Sequence, residues 1–195
     1  NKLNRLLSNR VIFLVLLLII VTIIMSVISP YFFDWNNMVT MTRFGAALAL
    51  VGLGQSLVIL GGGAGIDLSV GSIISLSGVI FGLLVGLGIN DWAAAVLTVV
   101  FGGFLGSVNG VTVALWGLPP LIGTLGTMYA YAALALVITK GVPLSGFSEG
   151  FSFLANGKIL GIPTQVFLIV IPIFIVLLII MNKTNFGRWI YLVGV

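Results

Sequence analysis

The residues best suited to chemistry sit in one polar break, Gly61-Gly-Gly-Ala-Gly-Ile-Asp67-Leu-Ser69-Val-Gly-Ser72, between two strongly apolar runs. Five residues with little or no side chain precede a carboxylate. A charge at the centre of a membrane helix costs roughly 2.5–3.5 kcal/mol or more. Irregular backbone at membrane depth persists only where protein or a water-filled cavity covers it. The break therefore points to a path through a bilayer. Asp67 has two readings. It can cap the following helix, accepting from amides near Ser69 and Val70 and complementing the helix dipole. It can also be a polar gate. A phosphate-binding loop requires Lys-Ser/Thr after its glycines, and Asp67-Leu-Ser follows here instead.

Other chemistries lack their residue types. The chain has no Cys and no His, so thiolate and imidazole ligands are absent, as is the base of a Ser–His or Cys–His pair. No metal site and no catalytic residue is expected. Asp34, Asp67, Asp91 and Glu149 are dispersed, which argues against an integral-membrane enzyme acting on lipids. A proton relay needs a chain of ionisable groups, and Asp67 has no acidic companion within an apolar run. Gln55, Asn109, Thr124 and Thr127 are neutral polar residues in or beside apolar segments. They suit hydrogen bonds between helices or the lining of a sugar-sized passage.

The elements that position these residues are those of a membrane protein. Of 195 residues 60% are hydrophobic and 6% charged, with mean hydropathy +1.31. Soluble domains carry about 25% charged residues. The eight cations are scattered singly and read better as topology signals than as a phosphate-binding face, so no nucleic-acid partner is expected. The expected fold is all-α, a polytopic transmembrane helical bundle with spans at 11–29, 46–60, 69–87, 93–115, 121–138 and 165–181. Pro30 stops the first, Pro119-Pro120 precede the fifth, and Pro172 kinks the sixth. The first run lacks a small-residue cleavage site and is read as a retained helix, not a secretory signal. Residues 31–35 read as an interfacial aromatic cluster and 139–164 as an external loop.

With six crossings both ends share a side. That side holds Lys2, Arg5, Arg10, Lys183 and Arg188, against Arg43, Lys140 and Lys158 opposite. The positive-inside rule then gives cytoplasmic ends and puts the break toward the cytoplasm. One broken crossing over 46–87 would instead send Lys183 and Arg188 outward, against the rule, so two crossings are preferred, with a shallow re-entrant geometry as the alternative.

Two helices carry small-residue faces. Gly71, Ser75, Gly78, Gly82 and Gly86 line one, and Gly102, Gly106 and Gly110 the other. Such faces let helices approach closely, and they also permit sliding during gating.

Gly65-Ile-Asp67-Leu-Ser69-Val-Gly-Ser72 resembles the most recognisable stretch of the permease subunits of bacterial sugar-uptake ABC transporters, of the ribose, galactose, arabinose, xylose and autoinducer-2 type. Asn109-Gly110, Pro119-Pro120, Thr124-Leu-Gly126, Gly161-Ile-Pro163 and Asn185-Phe-Gly-Arg188 follow in the family's order, so the likeness covers most of residues 30–195. The resemblance implies a multi-pass protein of the bacterial cytoplasmic membrane that imports a monosaccharide, ribose or a similar pentose or hexose. It implies a second permease subunit, like or unlike, an ATPase subunit holding ATP and Mg, and a periplasmic or lipid-anchored sugar-binding protein. The permease itself then needs no cofactor, and membrane lipid is among its partners. Asp67, Ser69 and Asn109 are the candidate pathway or gate residues. Arg188 lies at the approach to the ATPase-docking loop, or is a positive-inside anchor. Asn1 in place of Met, and Val195 inside a fresh apolar run, suggest the N-terminal part of one longer permease domain, truncated at its C-terminus. Broken helices and small-residue faces also suit an ion-coupled secondary transporter or channel.

Overall fold

The computed structural model describes residues 10–62, 65–146 and 148–194. Lys2 and Arg5 of the charge count, and Gly63 and Ala64 of the break, lie outside the described residues. The chain forms two compact units that divide between Gly45 and Ala46.

In the first unit, α1 (Arg10–Ile28) is apolar all round and buries no side chain within the chain. That is the pattern of a helix bathed in lipid or awaiting a partner. Its few hydroxyls bond back to its own carbonyls, Thr22 to Leu18 at 2.8 Å and Ser26 to Ile23 at 2.8 Å. Ser29 and Pro30 end it. The Asp34 carboxylate then accepts the Asn36 amide at 2.9 Å and caps α2 (Trp35–Leu60). This corrects the expected start at 46. The polar residues after Trp35 do not break the helix, because Thr40 and Thr42 donate to carbonyls four residues back, both at 2.8 Å.

The second unit is built around α3 (Val70–Gly86), which packs against both α4 (Asp91–Ala114) and α5 (Pro120–Thr139). Leu76, Leu105, Tyr131 and Ala135 form its core, flanked by Ile73, Val79 and Phe101. The Tyr131 hydroxyl donates to the Leu105 carbonyl at 3.2 Å, so the one polar atom of that core is satisfied. Five described helices are long and apolar enough to cross a membrane, and α3, at 17 residues, is apolar but shorter.

The small-residue faces are used unevenly within this chain. A Cβ at Gly102 would stand 3.3 Å from the Ser77 hydroxyl, and one at Gly82 would stand 2.6 Å from Leu144. At Gly71, Gly78, Gly86, Gly106 and Gly110 it would meet nothing within 4 Å.

The segment read as an external loop has structure of its own. Ser148 caps α6 (Glu149–Asn156), and Phe151 sets its ring 4.8 Å from Phe81 and 5.6 Å from Trp92. Asp91 is buried and accepts the Ser148 amide at 2.7 Å. A two-residue antiparallel pair, β1 (Lys158–Ile159) and β2 (Ile162–Pro163), turns through Leu160 and Gly161, both at positive φ. Hairpin turns of this length favour that region because it matches strand twist.

A π-helical turn, Val166–Val170, precedes α7 (Ile171–Lys183). It lies immediately before Pro172, the expected kink. Proline has no N–H and crowds the carbonyl four residues earlier, and a widened turn accommodates both. The chain then bends at Thr184 into α8 (Asn185–Gly194).

Candidate functional site

The site forms where α2 ends and α3 begins. Gly61 and Gly62 close the last turn of α2 through the Leu57 and Ile59 carbonyls. Gly62 has φ +75°, a conformation that costs other residues roughly 1–2 kcal/mol. At Gly65 a Cβ would collide with the Val58 carbonyl oxygen, so the chain can return along α2 only with glycine there.

Residues 66–69 run outside any helix and are pinned by side chains. Thr124, 3% exposed in the first turns of α5, accepts the Leu68 amide at 3.2 Å. Its hydroxyl also lies 2.7 Å from the Pro120 carbonyl and 3.4 Å from that of Ile66. Asp67 Oδ1 accepts both the Ser69 amide at 2.8 Å and the Ser69 hydroxyl at 2.6 Å. The Asn109 amide nitrogen, from α4, donates to Ser69 Oγ at 2.5 Å. A continuous chain of donors thus runs Asn109 to Ser69 to Asp67. Ser69 is fully buried, Asn109 is 5% exposed, and Asp67 is half-buried.

The three residues singled out as pathway or gate candidates are therefore brought into one hydrogen-bonded group. Asp67 holds the Ser69 amide as expected of a capping carboxylate. It acts from two positions before Ser69, which is itself the residue preceding α3, so it forms a turn leading into the helix rather than occupying the cap position. Thr124 is the organiser that sequence reasoning undervalued. Its sequence signals were a hydroxyl beside an apolar run and a place in the Thr124-Leu-Gly126 string. Thr127, by contrast, bonds only to carbonyls of its own helix. Arg188 lies on α8, exposed, with its guanidinium donating to the Asn185 side-chain oxygen.

A cleft of about 360 Å³ opens onto this group. Leu57 and Val58 form its apolar wall, Gly106 and Gly110 its floor on α4, and Asp67, Asn109 and Thr124 its polar side. Its volume falls within the ~300–1,000 Å³ range of small-molecule sites. None of its lining residues is Lys or Arg, and among the described residues no cluster of His, Cys, Asp or Glu could hold a metal. The arrangement offers polar groups to a small solute, and among the described residues it contains no nucleophile–base pair.

Thr124→Val is a sharp test of the pinning. Valine keeps the shape but removes the acceptor of the part-buried Leu68 N–H, at about 1 kcal/mol. The expected result is a clearly lower melting temperature for the purified protein. An unchanged value would mean that Thr124 does not hold the break.

Comparison with known proteins decides the family. Residues 37–195 match the family model described as branched-chain amino acid transport system / permease component. The chain belongs to this permease family. It is 35% identical over 185 residues to the ribose import permease protein RbsC of Escherichia coli (strain K12), covering 93% of this chain and 56% of that protein. It is 36% identical over 180 residues to the D-allose transport system permease protein AlsC of the same strain, covering 92% and 54%. To the autoinducer 2 import system permease protein LsrD of Enterobacter sp. (strain 638) it is 32% identical over 187 residues, covering 93% and 56%. The chain spans about half the length of the curated relatives it matches. No solved structure matches it. The permease is an integral membrane protein, with five described helices fit to span.

Proposed function

We propose that this permease supplies part of the translocation path of an ATP-driven importer of a monosaccharide, ribose or a similar pentose or hexose. The observation that carries the reading is the Asn109–Ser69–Asp67 chain opening onto a cleft between the end of α2, α4 and the start of α5. Such a polar site at an interrupted helix is how membrane transporters present groups to a solute. The names of the relatives, import permeases for ribose and D-allose among them, support the substrate class.

Gly61–Gly65 lacks the Lys-Ser/Thr of a nucleotide loop, so hydrolysis falls to a separate ATPase subunit that binds ATP and Mg. A second permease subunit completes the path, and a sugar-binding protein delivers the solute from outside. The N-terminus is cytoplasmic. The break, α8 and Arg188 then face the ATPase side, while α6 and the buried Asp91 face outward.

Uptake of labelled pentoses and hexoses by cells carrying the intact importer tests this. Uptake that collapses with ATP while ion gradients are clamped is the expected result. Uptake that follows an ion gradient instead would make the protein a secondary transporter. Gly106→Leu separates path from packing. Gly106 lines the cleft with open space before it, so leucine should plug the path and reduce uptake by an order of magnitude or more, ~tenfold per 1.4 kcal/mol of added barrier. Expression and oligomeric state should stay unchanged. Loss of assembly would mean instead that Gly106 is a packing surface.

A further inference from the structure

The hydrogen-bonding capacity left over in the cleft has a definite sign. Asn109 is only 5% exposed, its amide nitrogen is committed to Ser69, and its Oδ1 is buried with no partner. A buried acceptor without a donor is uncommon and costly, and at a functional site it marks where a ligand group belongs. Asp67 accepts two bonds at Oδ1, and Oδ2 accepts from no described residue.

Several of the nearby donors, in contrast, are engaged. The Leu68 amide goes to Thr124 and the Ser69 amide and hydroxyl go to Asp67. No Lys or Arg lines the cleft. At this end α2 and α4 finish while α3 and α5 begin, so their dipoles roughly offset. One carboxylate and one amide oxygen are too few for a dedicated Ca²⁺ cage, which takes six to eight oxygens. The site thus presents two free acceptors and one negative charge to the solute, with no cation beside them.

We infer that Asp67 and Asn109 form a subsite that accepts hydrogen bonds from the hydroxyls of a neutral polyol and rejects solutes carrying a carboxylate. The inference rests on the import reading and deepens it. It makes the permease itself a second selectivity step, and it sets this chain apart from any path for amino acids, whose carboxylate would meet Asp67 in a site of reduced dielectric.

The test uses the full-length permease in lipid nanodiscs, with ribitol and ribonate as a neutral and an anionic probe of similar shape. Binding is read by saturation-transfer NMR at millimolar probe. Wild type should bind ribitol at least about tenfold more tightly than ribonate. Asp67→Asn keeps the acceptor for Ser69 and removes the charge, so the ratio should fall to near unity. Asn109→Asp adds a charge and should widen the ratio, and it decides the matter if Asp67→Asn does not fold. Equal binding of both probes by wild type, or a ratio unmoved by the charge-changing variants, would overturn the inference. ATP-dependent uptake of labelled sugar by cells carrying the wild-type importer is measured alongside. Its absence would sink the import reading, whereas uptake with no ribitol preference would sink only the inference.

Discussion

Asp67→Leu is expected to abolish sugar uptake and to cut the yield of folded permease, while Asp67→Asn keeps a large share of both. Ser69 is fully buried, and Asp67 Oδ1 is the acceptor for both its amide and its hydroxyl. Leucine strands both donors, at about 1–3 kcal/mol each, within a group where Asn109 leans on the same hydroxyl. Thr124, the other side chain that pins this segment, is already committed to the Leu68 amide. Asparagine presents an oxygen in the same place and can keep the turn into α3. The two variants are compared by initial rates of labelled-sugar uptake and by the monodisperse fraction in size-exclusion chromatography. Equal loss in both would mean that the charge, not the acceptor, sustains the site. Normal uptake by Asp67→Leu would remove Asp67 from the path altogether.

How far the fold could be read in advance followed from how local its causes are. The spans at 69–87, 93–115 and 121–138 agree with α3, α4 and α5 to within two residues at each end, because glycine or proline brackets long apolar runs. The start of α2 was not legible by hydropathy. Its first turns are polar, and what sustains them is the Asp34 cap and threonine hydroxyls folded back on the helix. The short helix α6 was also hidden. It is eight residues long and is held by Phe151 against Phe81 and Trp92 and by the Asp91–Ser148 bond, contacts distant in sequence.

The candidate site divides in the same way. Asp67 and Ser69 are two residues apart, and their pairing is a local turn. Asn109 reaches Ser69 from 40 residues away, and only the packing of α4 on α3 brings it there. The glycine faces show the same limit. Their spacing reveals that a backbone can approach closely, but not which glycines receive a neighbour in this chain and which line a cleft.

Gly194→Leu is expected to separate ATP hydrolysis from sugar movement in the intact importer. The end of α8 lies against the break itself. A Cβ on Gly194 would collide with the Leu60 carbonyl oxygen, and a Cβ on Gly62 would stand 2.9 Å from Gly194 Cα and 3.0 Å from the Val193 carbonyl oxygen. Two backbones therefore touch with no side chain between them, and packed interfaces of this kind shift discretely rather than deform. Leu57, in the last turn of α2, lines the cleft and also a second cavity of about 160 Å³ shared with Phe174, Met181 and Tyr191. A displacement of α8 thus bears on the end of α2, and through Gly62 and Gly65 on the segment that carries Asp67. A side chain at Gly194 wedges this contact apart. Sugar imported per ATP hydrolysed in proteoliposomes should fall by roughly tenfold, an effect of about 1.4 kcal/mol, with hydrolysis continuing. Gly62→Ala should act in the same direction, adding the strain of a positive φ. Arg188 is exposed, and among the described residues its guanidinium bonds only to Asn185 of its own helix, so Arg188→Ala should leave the ratio close to wild type. An unaltered ratio in Gly194→Leu, together with a loss in Arg188→Ala, would move the coupling element from the glycine contact to the surface of α8.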